Sequence, residues 1–97
     1  AGKDSKIFVG DNTMIGPFVF VTTEGFSHSK KNPHKSHSGH AENVYIGSDV
    51  RIGAHAILLP GSKIGDGSSV GAGSVVTRDI IVKGIYAGNP AKLMRKI

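Results

Sequence analysis

The second half of the chain repeats an aliphatic residue at every sixth position. Seven consecutive units follow this spacing, at Ile46, Ile52, Leu58, Ile64, Val70, Val76 and Val82. Glycine often follows the aliphatic residue, and the fourth residue after it is mostly small. An α-helix cannot keep such residues on one face, because at roughly 100° per residue a period of six alternates between opposite faces. The spacing therefore predicts stacked parallel β-strands joined by tight corners.

Three corners per coil would return the chain to its starting side about 4.8 Å higher. This arrangement predicts three stacks of inward residues, which are Ile46 with Ile64 and Val82, Ile52 with Val70, and Leu58 with Val76. We expect the glycines at the corners to supply backbone angles that other residues disfavour. Since packed aliphatic residues leave no room for a ligand inside, a functional site is expected on the outer surface, in a loop or between subunits.

The same spacing occurs earlier, at Val9, Ile15 and Val21. The spacing of six is then interrupted, because the 25 residues from Val21 to Ile46 are not a whole number of units. The segment between the two runs contains four of the five histidines and almost no aliphatic residues. Long polar segments are uncommon in a compact repeat and are usually functional.

A chain of 97 residues predicts one small domain. We divide it into a coil over 7–21, a projecting loop over 22–43, further coils over 44–83 and a tail over 84–97. Three to four coils are too few to cover all the apolar side chains, so we predict self-association. The residues left outside the interior include Phe18, Phe20, Tyr45 and Ile57.

Composition excludes several classes of function. The absence of cysteine removes disulfides, thiolate metal sites and a cysteine nucleophile. No apolar run is long enough to span a membrane, so we expect a cytoplasmic protein without membrane insertion. The net charge is +5, but aromatic residues make up only 6% of the chain, which argues against a nucleic-acid partner.

The chain from about Val9 to Ile97 resembles the hexapeptide-repeat acyltransferases, which include maltose, galactoside and polysaccharide O-acetyltransferases. The most specific segments are LPGSKIGDGSSVGAGSVVTRD and AGNPAK. The resemblance implies an all-β, left-handed parallel β-helix of three to four coils with a projecting loop and a short C-terminal helix. The left hand comes from the resemblance alone, since the spacing predicts a coil without its handedness.

The resemblance also implies a reaction. Members of the family are homotrimers that bind acetyl-coenzyme A in a cleft between subunits and use a histidine as general base, and the resemblance implies the same for this chain. His28 is the first histidine after the coil breaks and is the expected base, with His34 as the alternative. A sugar hydroxyl attacks a thioester only as its proton is accepted, and an imidazole does this well near neutral pH. Without cysteine, direct transfer is the simplest route.

The resemblance to the family implies ligand-binding roles for two groups of residues, according to their positions in the sequence. The coenzyme A groove is assigned Gly53, Ala54, Gly71, Ala72, Thr77 and Arg78, with Lys92 and Arg95 at the phosphates. A backbone N–H near Gly53 or Ala54 would stabilise the oxyanion. Asp4 and Arg51 are assigned to the acceptor, and Arg51 stands where relatives commonly have tryptophan.

Two other functions stay open at this point. One is an N-acetyltransferase acting on an amino sugar, and the other is a catalytically degenerate β-helical module that only oligomerises. A zinc carbonic anhydrase of the same coil type would need two histidines five residues apart, and the five histidines contain no such pair. We therefore expect no metal. We also expect His55 to be a surface residue.

Overall fold

The computed structural model describes residues 4–28 and 36–97, with side chains outside 25–40. The first coil consists of β1 (Ile7–Val9), β2 (Met14–Ile15) and β3 (Phe20–Val21). An antiparallel hairpin follows, formed by β4 (Glu24–His28) and β5 (Ser36–Ala41). The second coil consists of β6 (Val44–Ile46), β7 (Arg51–Ile52) and β8 (Ile57–Leu58). The third consists of β9 (Lys63–Ile64), β10 (Ser69–Val70) and β11 (Val75–Val76), and the chain ends in β12 (Gly84–Gly88) and β13 (Ala91–Lys96).

Corresponding strands of successive coils pair in parallel and build three faces. Face A consists of β1, β6 and β9, and face C of β3, β8 and β11. Face B consists of β2, β7 and β10, and β12 and β13 extend it. The predicted stacking is confirmed for three pairs, which are Ile46 with Ile64, Ile52 with Val70, and Leu58 with Val76.

The interior contains the two inward positions that each unit of six predicts. The aliphatic position is filled by residues such as Leu58 and Val76, which are fully or almost fully buried. The second inward position lies four residues after the aliphatic one and is equally buried. Its members are Val50, Ala56, Ser62, Ser68, Ser74 and Ile80.

The expected stacking of Val82 on Ile64 is wrong. Ile80 pairs with Ile64 instead, and Val82 is 48% exposed. The spacing of inward aliphatic residues ends at Val76, because Ile80 is itself a large inward residue and takes the place expected for Val82.

The expected role of the corner glycines is confirmed at Gly61, Gly67 and Gly73, which have positive φ angles, but not at the glycine that directly follows the aliphatic residue. Gly53 is required because a Cβ there would lie 2.5 Å from the backbone N of Ala72 in the next coil. Positive φ angles occur two residues later in the unit, as at His55 with φ 61° and Gly73 with φ 71°. The glycine after each inward aliphatic residue therefore permits close stacking of coils, and it is the third residue after the aliphatic one that turns the corner.

The expected C-terminal helix is absent, and the residues form the antiparallel hairpin of β12 and β13. Strand β12 pairs with β10 and thereby continues face B by one strand. Tyr86 points inward, is 8% exposed and donates a hydrogen bond from its hydroxyl to the Val82 carbonyl at 2.6 Å. The extended strand thus lets Tyr86 cover the end of the core.

The segment expected to be a loop contains β4 and β5 and leaves the coil between face C and face A. The coil resumes in register behind it, since Val9 pairs with Ile46 and Val21 with Leu58. No helix that could cross a membrane occurs among residues 4–28 and 36–97.

Candidate functional site

A groove of about 420 Å³ lies against face B and the corner that leads to face C. Three successive coils contribute to its wall. The lining residues are Met14, Ile15, Gly16, Arg51, Ile52, Gly53, Ser69, Val70, Gly71 and Ala72. Arg51, Gly53, Gly71 and Ala72 were all predicted from the sequence to contact ligands, so the structure brings these four together.

The floor of the groove is low because its corner residues have little or no side chain. Gly16, Gly53 and Gly71 each donate their N–H to the next coil, to Ile52 O at 2.8 Å, Val70 O at 2.8 Å and Tyr86 O at 2.7 Å. The Gly53 N–H is therefore occupied by the fold and is not a donor for an oxyanion. The Ala54 N–H has no acceptor within the part of the chain that the structure describes.

One row of side chains crosses face B from the first coil to the C-terminal hairpin. Directly paired residues project on the same side of a sheet, and Arg51 pairs with Met14 and Ser69. The row continues from Ser69 to Ile85 and from Ile85 to Arg95. Three strand spacings separate Arg51 from Arg95, which corresponds to about 14 Å.

A bulge places Lys92 and Arg95 on the same side of β13. Residues three apart in a regular strand project to opposite sides. Here Lys92 pairs with Ala87 and Arg95 with Ile85, with an irregularity between them. Since Ala87 and Ile85 are two apart on β12, both basic residues lie on the outer side of face B, and both are exposed.

Several predicted site residues lie apart from the groove. Thr77 and Arg78 follow β11 of face C and are exposed. Asp4 precedes β1, is exposed and has φ 60°. Ala54 is half-buried at the corner beside the groove. None of these four is among the lining residues.

The histidine-rich segment starts at a different corner of the coil from the one beside the groove. His28 is the last residue of β4 and pairs with Ser36, while His37 and His40 belong to β5. His34 lies outside the described residues. The hairpin leaves the coil at the corner between faces C and A, whereas the groove lies on face B.

Sequence reasoning missed an aromatic pair beside the groove. Phe18 and His55 stack with ring centroids 5.1 Å apart, and Phe18 is 80% exposed. Both residues have positive φ, at 58° and 61°. Phe18 and His55 share the position in the unit of six that Gly61, Gly67 and Gly73 hold in later units. His55 is exposed, as predicted.

Comparisons with known proteins relate the chain to one group of enzymes. Residues 43–78 match the family model described as "Bacterial transferase hexapeptide (six repeats)". The chain is 37% identical over 95 residues to the galactoside O-acetyltransferase of Escherichia coli (strain K12), a match that covers 97% of this chain and 46% of that protein. The chain spans about half the length of the curated relatives it matches.

Solved structures show the same relationship. A maltose O-acetyltransferase from Clostridium difficile 630 superposes with a TM-score of 0.82 at 37% identity, covering 94% of this chain and 48% of that one. A galactoside acetyltransferase in complex with coenzyme A gives a TM-score of 0.82 at 35% identity, with 94% and 45% covered. An N-acyltransferase from Bacillus cereus, also in complex with coenzyme A, gives 0.79 at 26% identity, with 93% and 52% covered.

Proposed function

The chain belongs to the hexapeptide-repeat acyltransferase family, and on this basis we propose that it transfers an acetyl group from acetyl-coenzyme A to a hydroxyl of a sugar or polysaccharide precursor. The observation that carries this proposal is the groove on face B. It has a floor of glycine and alanine, and the row of outward side chains beside it ends at two exposed basic residues. A long, thin ligand with phosphates at one end fits this distribution of space and charge.

The donor is proposed to lie along face B with its phosphates at the C-terminal hairpin. Lys92 and Arg95 would hold the phosphates, because ammonium and guanidinium groups form strong charge-assisted hydrogen bonds with them. The pantetheine arm would run over Gly71, Ala72 and Gly53. Thr77 and Arg78 are proposed to contact the donor from the adjacent edge. This orientation brings the thioester to the end of the groove formed by the first two coils.

In the proposed reaction, the acceptor hydroxyl attacks the thioester carbonyl carbon while His28 accepts the hydroxyl proton. The carbonyl oxygen becomes an oxyanion, and the Ala54 N–H is proposed to donate a hydrogen bond to it. The tetrahedral intermediate then expels the coenzyme A thiolate, which receives the proton from the His28 imidazolium. Asp4 and Arg51 are proposed to bind the acceptor.

The proposed active site requires two copies of the chain. The groove is on face B, while the hairpin that contains His28 leaves at the corner between faces C and A. A closed ring in which each hairpin reaches the next groove satisfies this geometry, and a cyclic homo-oligomer uses one such contact repeatedly. We propose a homotrimer with three equivalent sites.

A second candidate is N-acetylation of an amino sugar. It is favoured by the similarity to the Bacillus cereus N-acyltransferase, and the same base and oxyanion donor would serve an amine. A catalytically degenerate module that only oligomerises is the third reading.

The proposal is tested by incubating the protein with acetyl-coenzyme A and a panel of hexoses, oligosaccharides and amino sugars. Free thiol is measured together with the mass of the acceptor. An acetyl ester, cleaved by hydroxylamine, supports O-transfer, whereas a hydroxylamine-stable amide supports N-transfer. Ala72→Trp fills the groove and should abolish either reaction. An oligomer that transfers to no acceptor would support the degenerate module.

A further inference from the structure

Arg51 is the only charged residue among those lining the groove. It projects from the outer side of face B between two uncharged neighbours, Met14 and Ser69, and it is exposed. No carboxylate lines the groove within the described residues, and no hydrogen bond or ion pair to the Arg51 guanidinium is found there. An arginine is charged at every physiological pH, so this wall presents a positive charge that the described residues leave without a counter-charge.

The position of Arg51 separates it from the proposed donor phosphates. It lies three strands from Arg95 in the same row, about 14 Å away. The strand that carries Lys92 and Arg95 is therefore at the far end of the row from Arg51. The uncharged pantetheine arm would occupy the space between them, which leaves Arg51 at the acyl end of the groove, where the acceptor enters.

We infer that Arg51 selects an anionic acceptor, a sugar or glycan carrying a carboxylate or a phosphate near the acetylated hydroxyl. A planar guanidinium forms paired hydrogen bonds with either anion. A neutral hexose would leave the arginine without its partner, and a site built around a polar contact discriminates strongly against a ligand that lacks it. This inference rests on the proposed function and specifies its substrate class.

The test compares three matched acceptors: a methyl hexoside, the corresponding methyl hexuronide, and the hexoside 6-phosphate. The ratio of kcat/KM for each anionic acceptor to that of the neutral one is measured for the wild type, Arg51→Gln and Lys63→Gln. Lys63→Gln is the charge-matched control, because Lys63 is an exposed cation on face A that stacks over Tyr45, away from the groove. The KM for acetyl-coenzyme A is measured for all three proteins.

For the wild type, at least one anionic acceptor should be preferred over the neutral one. Arg51→Gln should lower that ratio by about 10- to 100-fold, leaving the KM for acetyl-coenzyme A within about twofold. Lys63→Gln should change neither the ratio of kcat/KM values nor the KM for acetyl-coenzyme A. The uronide and phosphate results identify the anion. A ratio that Arg51→Gln does not change, or an effect of Arg51→Gln on the donor KM alone, would overturn the inference.

Acceptor binding is measured independently of turnover, by calorimetry of the three sugars with the full chain saturated with coenzyme A. If no acceptor is acetylated, the proposed function fails, but the inference about Arg51 is still decided. Binding of an anionic sugar that Arg51→Gln weakens about tenfold or more, and Lys63→Gln does not, supports it. Equal binding of neutral and anionic sugars, or binding to none of the three, contradicts it.

Discussion

At the scale of single residues, Gly53 shows that the coil is packed to its limit along the groove. A methyl group there would meet the Ala72 backbone at 2.5 Å, whereas one at Gly73 would meet nothing within 4 Å. Gly53→Ala should lower the free energy of unfolding by about 3 kcal/mol or more, because rigid backbone must move. Gly73→Ala should cost about 1–2 kcal/mol, since only its positive φ opposes a side chain. Urea denaturation at equal protein concentration measures both, and equal costs would contradict the packing explanation.

Two buried serines that occupy the same position in their units have different surroundings. The Ser62 hydroxyl is buried without a hydrogen-bond partner, while the Ser68 hydroxyl accepts the Gly84 N–H at 3.3 Å. Ser62→Ala should leave stability unchanged or raise it, because it removes a buried polar group that is unsatisfied. Ser68→Ala should cost about 1–3 kcal/mol by leaving a buried N–H without an acceptor. Thermal unfolding of the two variants side by side checks the difference, and a greater loss for Ser62→Ala would refute it.

The proposed base makes a prediction about one histidine among four. His28→Ala should lower kcat by about 10²–10⁴, with the KM for acetyl-coenzyme A nearly unchanged, because a base acts in the transition state. The matched controls His34→Ala, His37→Ala and His40→Ala should each cost much less. If His34→Ala abolishes turnover and His28→Ala does not, the base has been assigned to the wrong residue; full activity in all four variants contradicts a histidine mechanism.

At the scale of elements, the period of six predicted the strands of the coil and the pairing of successive coils. This was possible because parallel stacking gives each inward residue the same neighbours in every turn, as for Ile52 under Val70. The prediction failed at the end of the repeat, where no further coil constrains the chain. There Tyr86 covers the core from an extended strand, a contact that the hexapeptide spacing does not encode.

The sequence also identified part of the groove but not its geometry. Gly53, Gly71 and Ala72 were assigned from their position in the family resemblance, and all three line the groove. Phe18 and His55 could not be paired before the register was known, because they are 37 residues apart. The occupied N–H of Gly53 likewise depends on the coil above, which accepts it at Val70.

The C-terminal hairpin makes a prediction of its own, because the bulge in β13 aims two basic side chains at face B. Replacing Lys92 and Arg95 together with alanine should raise the KM for acetyl-coenzyme A while leaving the acceptor KM unchanged. The effect should be greater at low salt, since exposed phosphate contacts are screened by ions. With a dephospho-coenzyme A ester as donor, the double substitution should raise the KM by less than it does with acetyl-coenzyme A.

The control for this pair is the double substitution of Lys83 and Lys96, which removes the same charge from the same end of the chain. Lys96 pairs with Gly84 and so projects to the other side of β13 from Arg95. These substitutions should leave the donor KM nearly unchanged. Two results would show that the phosphates bind elsewhere. One is a rise in the acceptor KM after Lys92 and Arg95 are replaced, and the other is an equal rise in the donor KM for the two double variants.

At the scale of the whole molecule, much apolar surface remains uncovered in a single chain. Phe18 is 80% exposed and Phe20 60% exposed on the outside of the coil. Exposed apolar surface of this kind marks contacts between subunits. The protein in solution should therefore sediment at about three times the chain mass of 10.1 kDa.

The central claim is that one copy supplies the groove and a neighbouring copy supplies His28, and mixed oligomers test it directly. His28→Ala lacks the base and Ala72→Trp blocks the groove, so each variant alone should be inactive. When the two chains are co-expressed and purified as mixed trimers, about one third of the sites should combine an intact hairpin with an intact groove, because each mixed trimer contains one such contact among its three. The mixed trimers should therefore show about one third of the wild-type kcat. Mixed trimers that contain both chains in equal amounts and remain as inactive as the separate variants would contradict it.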